Sequence, residues 1–406
     1  MLRVLTLATL FPNGAHPTLG VFVERQTRAV AELPDVEVEV VAPLGLPVWP
    51  LSLHPHYAPL RGLPAHETWN GLVVHRPRYR VWPMAGQGRT ARRMADALLP
   101  LMRDIKARFA FDVIDAEFFW PDGPAAMHLA AALGVPFSVK ARGADIHFWG
   151  RRPAMAGQIV EAGKAAAGLL AVSQALKRDM VALGLPEGRI RVHHTGIDLD
   201  RFRPADRASA KAALGVAGPL LVTAGALIPR KGQDLAIEAL KAFPDAILIL
   251  AGEGPDRGRL EGIVRSGGLG DRVRFLGNRP HGELPALLAA ADVMVLPAMS
   301  EGLANVWVES LACGTPVVTS DVGGAREVFD RPEAGRLVPR DPAAIAAAVR
   351  DLLANPPAQA DVRKAAEKFS WERNGAELAE HLSGLVRKGS ALGPGGGRDR
   401  PGKAAG

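Results

Sequence analysis

The chain has 406 residues, enough for two domains that each bury a core of their own. Its 48% hydrophobic and 22% charged residues are those of a globular protein, and a net charge of +7 suits anionic partners such as nucleotides, phospholipids or nucleic acid. The lone cysteine, Cys313, excludes a disulfide within the chain and any cysteine-rich metal site, and it fits a reducing compartment.

Arg3–Leu7 reads as a buried first strand. The run ends early, at Phe11-Pro12-Asn13-Gly14, and it lacks the basic start and small-residue cleavage site of a signal peptide. Gly20, in Thr18–Glu24, precedes the first predicted helix, Val23–Glu32, where a glycine could admit a phosphate or an acceptor group and line a cleft. A strand follows at Val36–Ala42. The stretch from Leu44 to Tyr79 is rich in Pro, His and Trp, shows little periodicity and stays unorganised in this reading. From Arg76 to Arg108 the chain gathers nine cations against Asp96 and Asp104. Met94, Leu98, Leu101, Met102 and Ile105 recur there at helical spacing, near Trp82 and Pro83. That pattern fits a basic amphipathic helix on an anionic membrane surface, or a helix covering a sheet with its cations solvated.

Further strands are predicted at Val113–Ala116, Phe137–Lys140 and Leu169–Val172, alternating with helices at Pro124–Leu133 and Ala175–Leu183. After the turn-rich Gly196–Pro219 the series begins again. Strands at Leu220–Thr223, Ala246–Ala251, Val273–Leu276, Val293–Pro297 and Pro316–Ser320 alternate with helices at Gln233–Ala242, Arg257–Gly267 and Glu283–Ala290. Most of these strands lack strict polar alternation, as expected of parallel strands covered by helices on both faces. The fold class is therefore α/β, with two doubly wound, Rossmann-like domains facing across a cleft. The expected division is a first domain over 1–196 and a second over 197–370. A helix over 371–388 should pack back on the first domain, and 389–406 should be an unstructured tail. No apolar run reaches the roughly 20 residues that span a bilayer, so a soluble or peripheral protein is expected.

Four strand-end segments carry chemistry. Ser300–Glu309 follows a strand and enters a helix expected to begin near Asn305. Glu301 would lie at the carboxyl end of the sheet, where open α/β sheets bind ligands. Gly302 permits close backbone approach, and the helix start offers N–H groups to a phosphate. Glu309 could accept hydrogen bonds from a vicinal diol. In the second segment, Arg230 and Lys231 sit on a strand-to-helix loop where a diphosphate would need neutralising. Gly20 marks the third. The fourth, Lys140 to His147, gathers Arg142, Gly143, Asp145 and an imidazole. Each has a plainer reading, as surface glutamates, a solvated Arg-Lys pair or an Asp145–Arg142 surface pair. Neither the Gly-x-Gly-x-x-Gly fingerprint nor a Walker loop is present, which counts against a dehydrogenase or an ATPase.

Together the segments resemble the retaining GT-B glycosyltransferases of family 4, glycosyltransferase group 1, and among them bacterial enzymes of cell-surface polysaccharide assembly. The spacing from Glu301 to Glu309 is similar to that family's E-x7-E motif. Ala251–Pro255, Phe275–Gly277, Glu309–Val318, Gly323-Gly324 and His194–Asp198 match as well, and the likeness runs to about residue 385. The resemblance implies that Glu309 holds the donor ribose and Glu301 faces the transferred sugar. Arg230 and Lys231 would clamp the diphosphate. Gly302, Leu303, Asn305 and Val306 would add donor contacts, and Gly277 would edge the base. Where many members carry His-Gly this chain has Arg142-Gly143, so the histidine's role does not transfer. Asp145 and Arg142 are the catalytic candidates there, beside Glu301.

The implied activity is retaining transfer from a nucleotide-diphosphate sugar to a glycan or lipid-linked hydroxyl acceptor. No cofactor and no metal are expected, since cations stand where a divalent ion would act and no Asp-x-Asp pair occupies a suitable loop. The enzyme should be cytoplasmic, with a peripheral place on the inner membrane face. Nothing resembles a nucleic-acid-reading module, so no nucleic acid is expected as a partner. A nucleotide-sugar epimerase, a sugar phosphorylase and a non-catalytic nucleotide-sugar-binding subunit are the alternatives.

Overall fold

The computed structural model describes residues 1–55, 57–82 and 87–391. Sixteen strands are β1 (Leu2–Leu7), β2 (Val36–Val41), β3 (Leu44–Pro47), β4 (His66–Trp69), β5 (Leu72–His75), β6 (Arg78–Val81), β7 (Val113–Ala116), β8 (Phe137–Ala141), β9 (Gly168–Ala171), β10 (Ile190–Val192), β11 (Leu220–Ala224), β12 (Ile247–Ala251), β13 (Val273–Gly277), β14 (Val293–Leu296), β15 (Val317–Thr319) and β16 (Gly335–Leu337). Eight form one sheet in the order β10-β9-β8-β7-β1-β2-β5-β4, and six form a second in the order β13-β12-β11-β14-β15-β16. Among the described strands only β4, the hairpin partner of β5, runs antiparallel. A separate parallel pair, β3 and β6, joins Leu44–Pro47 to Arg78–Val81.

Helices cover both sheets. Every residue of β7, β8, β9 and β11 is buried, as unbroken aliphatic runs require when neither face meets water. In each sheet the order turns back beside the first-formed strand. The carboxyl ends of the strands there carry loops free to hold a ligand.

The Trp371–Ala391 helix crosses back to the first sheet and lies along the Val21–Ala31 helix. The approach is close, because a Cβ on Gly375 would stand 2.7 Å from the Ala29 carbonyl oxygen. Polar contacts fix the crossing. Asn374 donates its amide to the His194 carbonyl (2.6 Å), His193 Nε2 meets the Asn374 carbonyl (2.9 Å), and His381 meets Ser138 (2.9 Å). Ile197, where the chain leaves the first sheet, bridges Ser370, where it returns. The helix continues through Ala391, so 389–391 of the expected tail 389–406 are helical, and the rest of it lies outside the described residues, as does Pro83.

The Thr90–Phe109 helix corrects one expectation. Met94, Leu98, Met102 and Ile105 are fully buried against the first sheet's core, so its apolar stripe is already covered and cannot rest on a membrane. Amphipathicity alone does not distinguish a helix on a sheet from a helix on a bilayer. Among the described residues no helix is long and apolar enough to cross a membrane.

Candidate active site

A cavity of about 630 Å³ lies between the sheets, with walls from both. The first contributes Phe22, Arg142, Val172 and Thr195. The second contributes the loops after β11, β12, β13 and β14. Lys231, Glu301, Leu303, Asn305, Val306 and Glu309 line it together, so residues spread over 79 positions of sequence meet in one chamber.

Glu301 lines its wall. Lys231 Nζ lies 2.5 Å and Arg230 Nη1 3.3 Å from Glu301 Oε1, and Arg230 also donates to the Ser300 carbonyl. Two glycines hold that turn from behind. Gly323 adopts φ 55°, and a Cβ on it would stand 1.8 Å from the Glu301 carbonyl oxygen. Gly324 donates its N–H to the Gly302 carbonyl at 2.7 Å.

The Asn305–Ala312 helix starts at the cavity wall. Its cap position is Ala304, not Asn305, and no side chain accepts a bond from the first turn. N–H groups left without a side-chain partner there suit an anion. Glu309, one turn further in and 9% exposed, receives a bond from His281 Nε2 (3.0 Å), and Arg25 approaches His281 Nδ1 at 3.4 Å. Desolvation, and Arg201 after it, lower the Arg25 pKa. The remaining carboxylate of the wall, Glu253, pairs with Arg257 at 2.6 Å.

Both halves of the chain match known families. Residues 19–201 match Glycosyltransferase Family 4, and residues 206–369 match Glycosyl transferases group 1. The chain belongs to the group 1 glycosyltransferases. It is 29% identical over 375 residues to the putative teichuronic acid biosynthesis glycosyltransferase TuaC of Bacillus subtilis, covering 86% of this chain and 88% of that one. It is 38% identical over 209 residues to the GDP-mannose-dependent alpha-(1-6)-phosphatidylinositol monomannoside mannosyltransferase of Mycolicibacterium smegmatis, a match spanning 47% of this chain and 55% of that protein. Sucrose-phosphate synthase from Thermosynechococcus elongatus superposes with a TM-score of 0.75 at 21% identity, over 96% of this chain and all of that one (100%). Anabaena HepE in complex with UDP superposes with a TM-score of 0.73 at 21% identity, over 95% of this chain and 100% of that one. The fold is GT-B.

The transferase does not bring every candidate into the chamber. Asp145 is wholly buried, and its carboxylate accepts the backbone N–H groups of Phe119 (3.1 Å), Arg142 (3.0 Å), Gly143 (2.8 Å) and Ile146 (3.2 Å). It shapes the loop after β8 and does not face substrate. Burial raises its pKa although these N–H groups pull it down. Gly20 does not line the cleft either. It opens the Val21–Ala31 helix at φ 64°, where a Cβ would stand 2.3 Å from the Leu10 carbonyl oxygen, and Thr18, Val21 and Phe22 form the surface instead. Gly277, at φ 68°, turns the chain so that Asn278 and Arg279 reach the wall. Gly302 and Arg230 border the adjoining chamber described below.

Arg142 does reach the chamber, through a network the sequence did not disclose. Its guanidinium pairs with Glu117, lies 3.3 Å from Gln26 Oε1 and covers the Phe22 ring at 5.0 Å. Beneath it, Lys140 donates to Gln26 Oε1 (2.5 Å) and meets His193 Nδ1 (2.8 Å), all fully enclosed. Burial drives the Lys140 pKa far down and the Asp115 pKa far up, whereas Arg142 and Lys140 hold the Glu117 pKa low against burial. Glu117, Gln26, His281 and Arg25 were all missed from the sequence. Glu117, Gln26 and Arg25 share one sign, polarity on a segment whose neighbours are buried, whereas His281 lies on an exposed loop that gives none.

Proposed function

We propose that this glycosyltransferase moves a sugar from a nucleoside-diphosphate sugar to a hydroxyl acceptor with retention of anomeric configuration, in cell-envelope or exopolysaccharide glycan synthesis. One observation carries the reading: Lys231 and the uncapped start of the Asn305–Ala312 helix share a chamber with Glu309, which stands one helical turn deeper. A diphosphate between Lys231, Arg230 and that helix start would set a ribose against Glu309 and the transferred sugar against Glu301. Cations and helix N–H groups would then stabilise the charge that grows on the leaving diphosphate.

Retention is supported by the state of the wall's carboxylates. Glu301, Glu309 and Glu253 each have a cationic or imidazole partner, so none stands free as a nucleophile. A same-face route in which the leaving phosphate takes the acceptor proton fits that wall. The same cations suit a reaction independent of divalent metal. Among the described residues no group of three or more His, Cys, Asp or Glu side chains is gathered for an ion. Activity in excess chelator checks this. An epimerase does not fit the transferase family, and a phosphorylase would require phosphate as acceptor.

Thermal shift against a panel of nucleoside diphosphates tests the donor site. A ligand at about 100 times its dissociation constant adds roughly 2.7 kcal/mol. A panel in which none stabilises the protein overturns the reading. HepE was solved with UDP and the mycobacterial relative is named for GDP-mannose, so both bases belong in it.

We place the enzyme in the cytoplasm at the inner face of an anionic membrane, with lipid-linked acceptors. The surface for this is the β3–β6 end, not the Thr90–Phe109 helix. There Trp49 is 77% exposed, with Leu51, Leu53 and Trp82 also exposed. Arg61, Arg78 and Arg80 are exposed on the same segment, a combination of apolar anchors and cations suited to anionic headgroups.

A further inference from the structure

Beyond Glu301 the cleft opens into a second chamber of about 830 Å³, which shares Arg142 and Glu301 with the first. Its first-sheet wall holds Arg142, His147, Arg151 and Arg178, and its second-sheet wall holds Arg230. The carboxylates on it are already engaged. Asp179 pairs with His147 at 2.9 Å, and Glu301 pairs with Lys231 and Arg230. Arg142 is held by Glu117 and Arg230 by the Ser300–Glu301 turn. Arg151 and Arg178 are exposed and make no ion pair among the described residues. Two guanidinium groups thus face a chamber whose negative charges are neutralised in place. The donor reading puts the reacting sugar at Glu301, with its nucleotide on the Glu309 side, so an acceptor must arrive through this second chamber.

We propose that the acceptor carries a phosphate group and that Arg151 and Arg178 seat it here, presenting the attacking hydroxyl to the sugar at Glu301. A guanidinium matches phosphate oxygens two at a time, which a neutral acceptor cannot use. The exposed Phe148 borders the same chamber, 4.3 Å below the Arg152 guanidinium, and offers apolar surface beside the phosphate site. The phosphate can belong to a soluble sugar phosphate or to a lipid headgroup.

The inference rests on the donor reading, and calorimetry separates the two. Wild-type protein is titrated with glucose 6-phosphate and with glucose, and then with dihexanoyl phosphatidic acid and dihexanoylglycerol, all as monomers. Each titration is run with and without the nucleoside diphosphate that the panel selects. The phosphate-bearing member of at least one pair is expected to bind at least tenfold more tightly than its neutral counterpart. Arg151→Gln with Arg178→Gln is expected to abolish that preference without changing nucleotide affinity. Preference for the sugar phosphate alone identifies a soluble source, and preference for the phosphatidic acid alone a lipid one. Equal binding within both pairs overturns the proposal, as does a preference that survives in the double variant. Failure of every nucleotide to bind overturns the donor reading instead, and the phosphate titrations still decide this one.

Discussion

Replacing Lys231 with Ala separates a diphosphate clamp from a structural ion pair. The ammonium lies 2.5 Å from Glu301, with side-chain exposures of 14% and 10%, so water screens it only in part. At an effective dielectric constant of about 20, a unit charge 4 Å away contributes ~4 kcal/mol. Glu301 already holds the ammonium, and a bound diphosphate must share it, which leaves about half, ~2 kcal/mol. Lys231→Ala should therefore weaken nucleoside-diphosphate binding about 30-fold, since each 1.4 kcal/mol is tenfold. Folding should change little, because Arg230 remains 3.3 Å from Glu301 at a partly open site. Calorimetry with the diphosphate and with its parent nucleoside is the assay. The nucleoside lacks the charge that Lys231 meets, so its affinity should be unaltered. Equal losses for both ligands, or none for either, would refute the clamp.

The two glutamates should fail differently. Glu309→Gln should weaken the nucleoside and the diphosphate alike, and Glu301→Gln should lower kcat by at least tenfold more than it lowers nucleotide affinity; wild-type turnover in the second variant would remove Glu301 from the reacting centre. Asp122 supplies a pH test, since burial pushes its carboxyl up to about 7. Unfolded it titrates near ~3.9, so its contribution to stability is fully present below that value and is lost as pH rises through the folded one. Asp122→Asn cannot titrate, and the wild-type melting temperature should fall relative to the variant's between pH 5 and 8; parallel curves would show that the carboxyl is not raised. For the membrane surface, sedimentation with anionic vesicles should carry down the wild type at low salt, less at high salt, and much less after Trp49, Leu51 and Leu53 become Ser. Protein left in the supernatant under all conditions argues against an intrinsic contact.

Most of the strands that build the two sheets could be read from the sequence, because aliphatic runs such as Leu220–Ala224 are buried on both faces and announce it. The β4–β5 hairpin was missed although its signal was present. Asn70-Gly71, both at positive φ, joins two short strands as a two-residue turn of the tight hairpin kind. The β3–β6 pair left no such sign, since it joins segments 34 residues apart with no local turn between them. Three-residue edge strands such as β10 and β16 carry too little periodicity to be seen. At the site, Leu303 and Val306 came only from the family resemblance, whereas Lys231, Glu301, Asn305 and Glu309 stood out because each lies on or just after a strand-to-helix loop. Asp145 was misread for the same reason. A short carboxylate after a strand end looks alike whether it faces substrate or gathers the N–H groups of its own loop.

Arg142 shows what local sequence cannot supply. Its plain reading was a surface pair with Asp145, and the structure gives it Glu117 and Gln26 instead, 25 and 116 residues away. Enclosing Asp115, Glu117, Lys140 and Arg142 in one place is costly, because desolvation opposes every charge. Burial pushes the Asp115 carboxyl up and the Lys140 ammonium down, while Glu117 stays low beside Arg142, with which it pairs. A pair of that kind contributes little net stability compared with apolar packing, but it holds the Arg142 guanidinium against Glu117. Arg142 stands where the two chambers meet, at the Glu301 end of both. The same network reaches the Trp371–Ala391 helix, since His193 touches Lys140 on one side and the Asn374 carbonyl on the other. The helix that returns after the second sheet therefore bears on the residues that hold a guanidinium where the two chambers meet. The returning helix and the Arg142 network are thus joined by a buried histidine, a contact that no window of sequence contains.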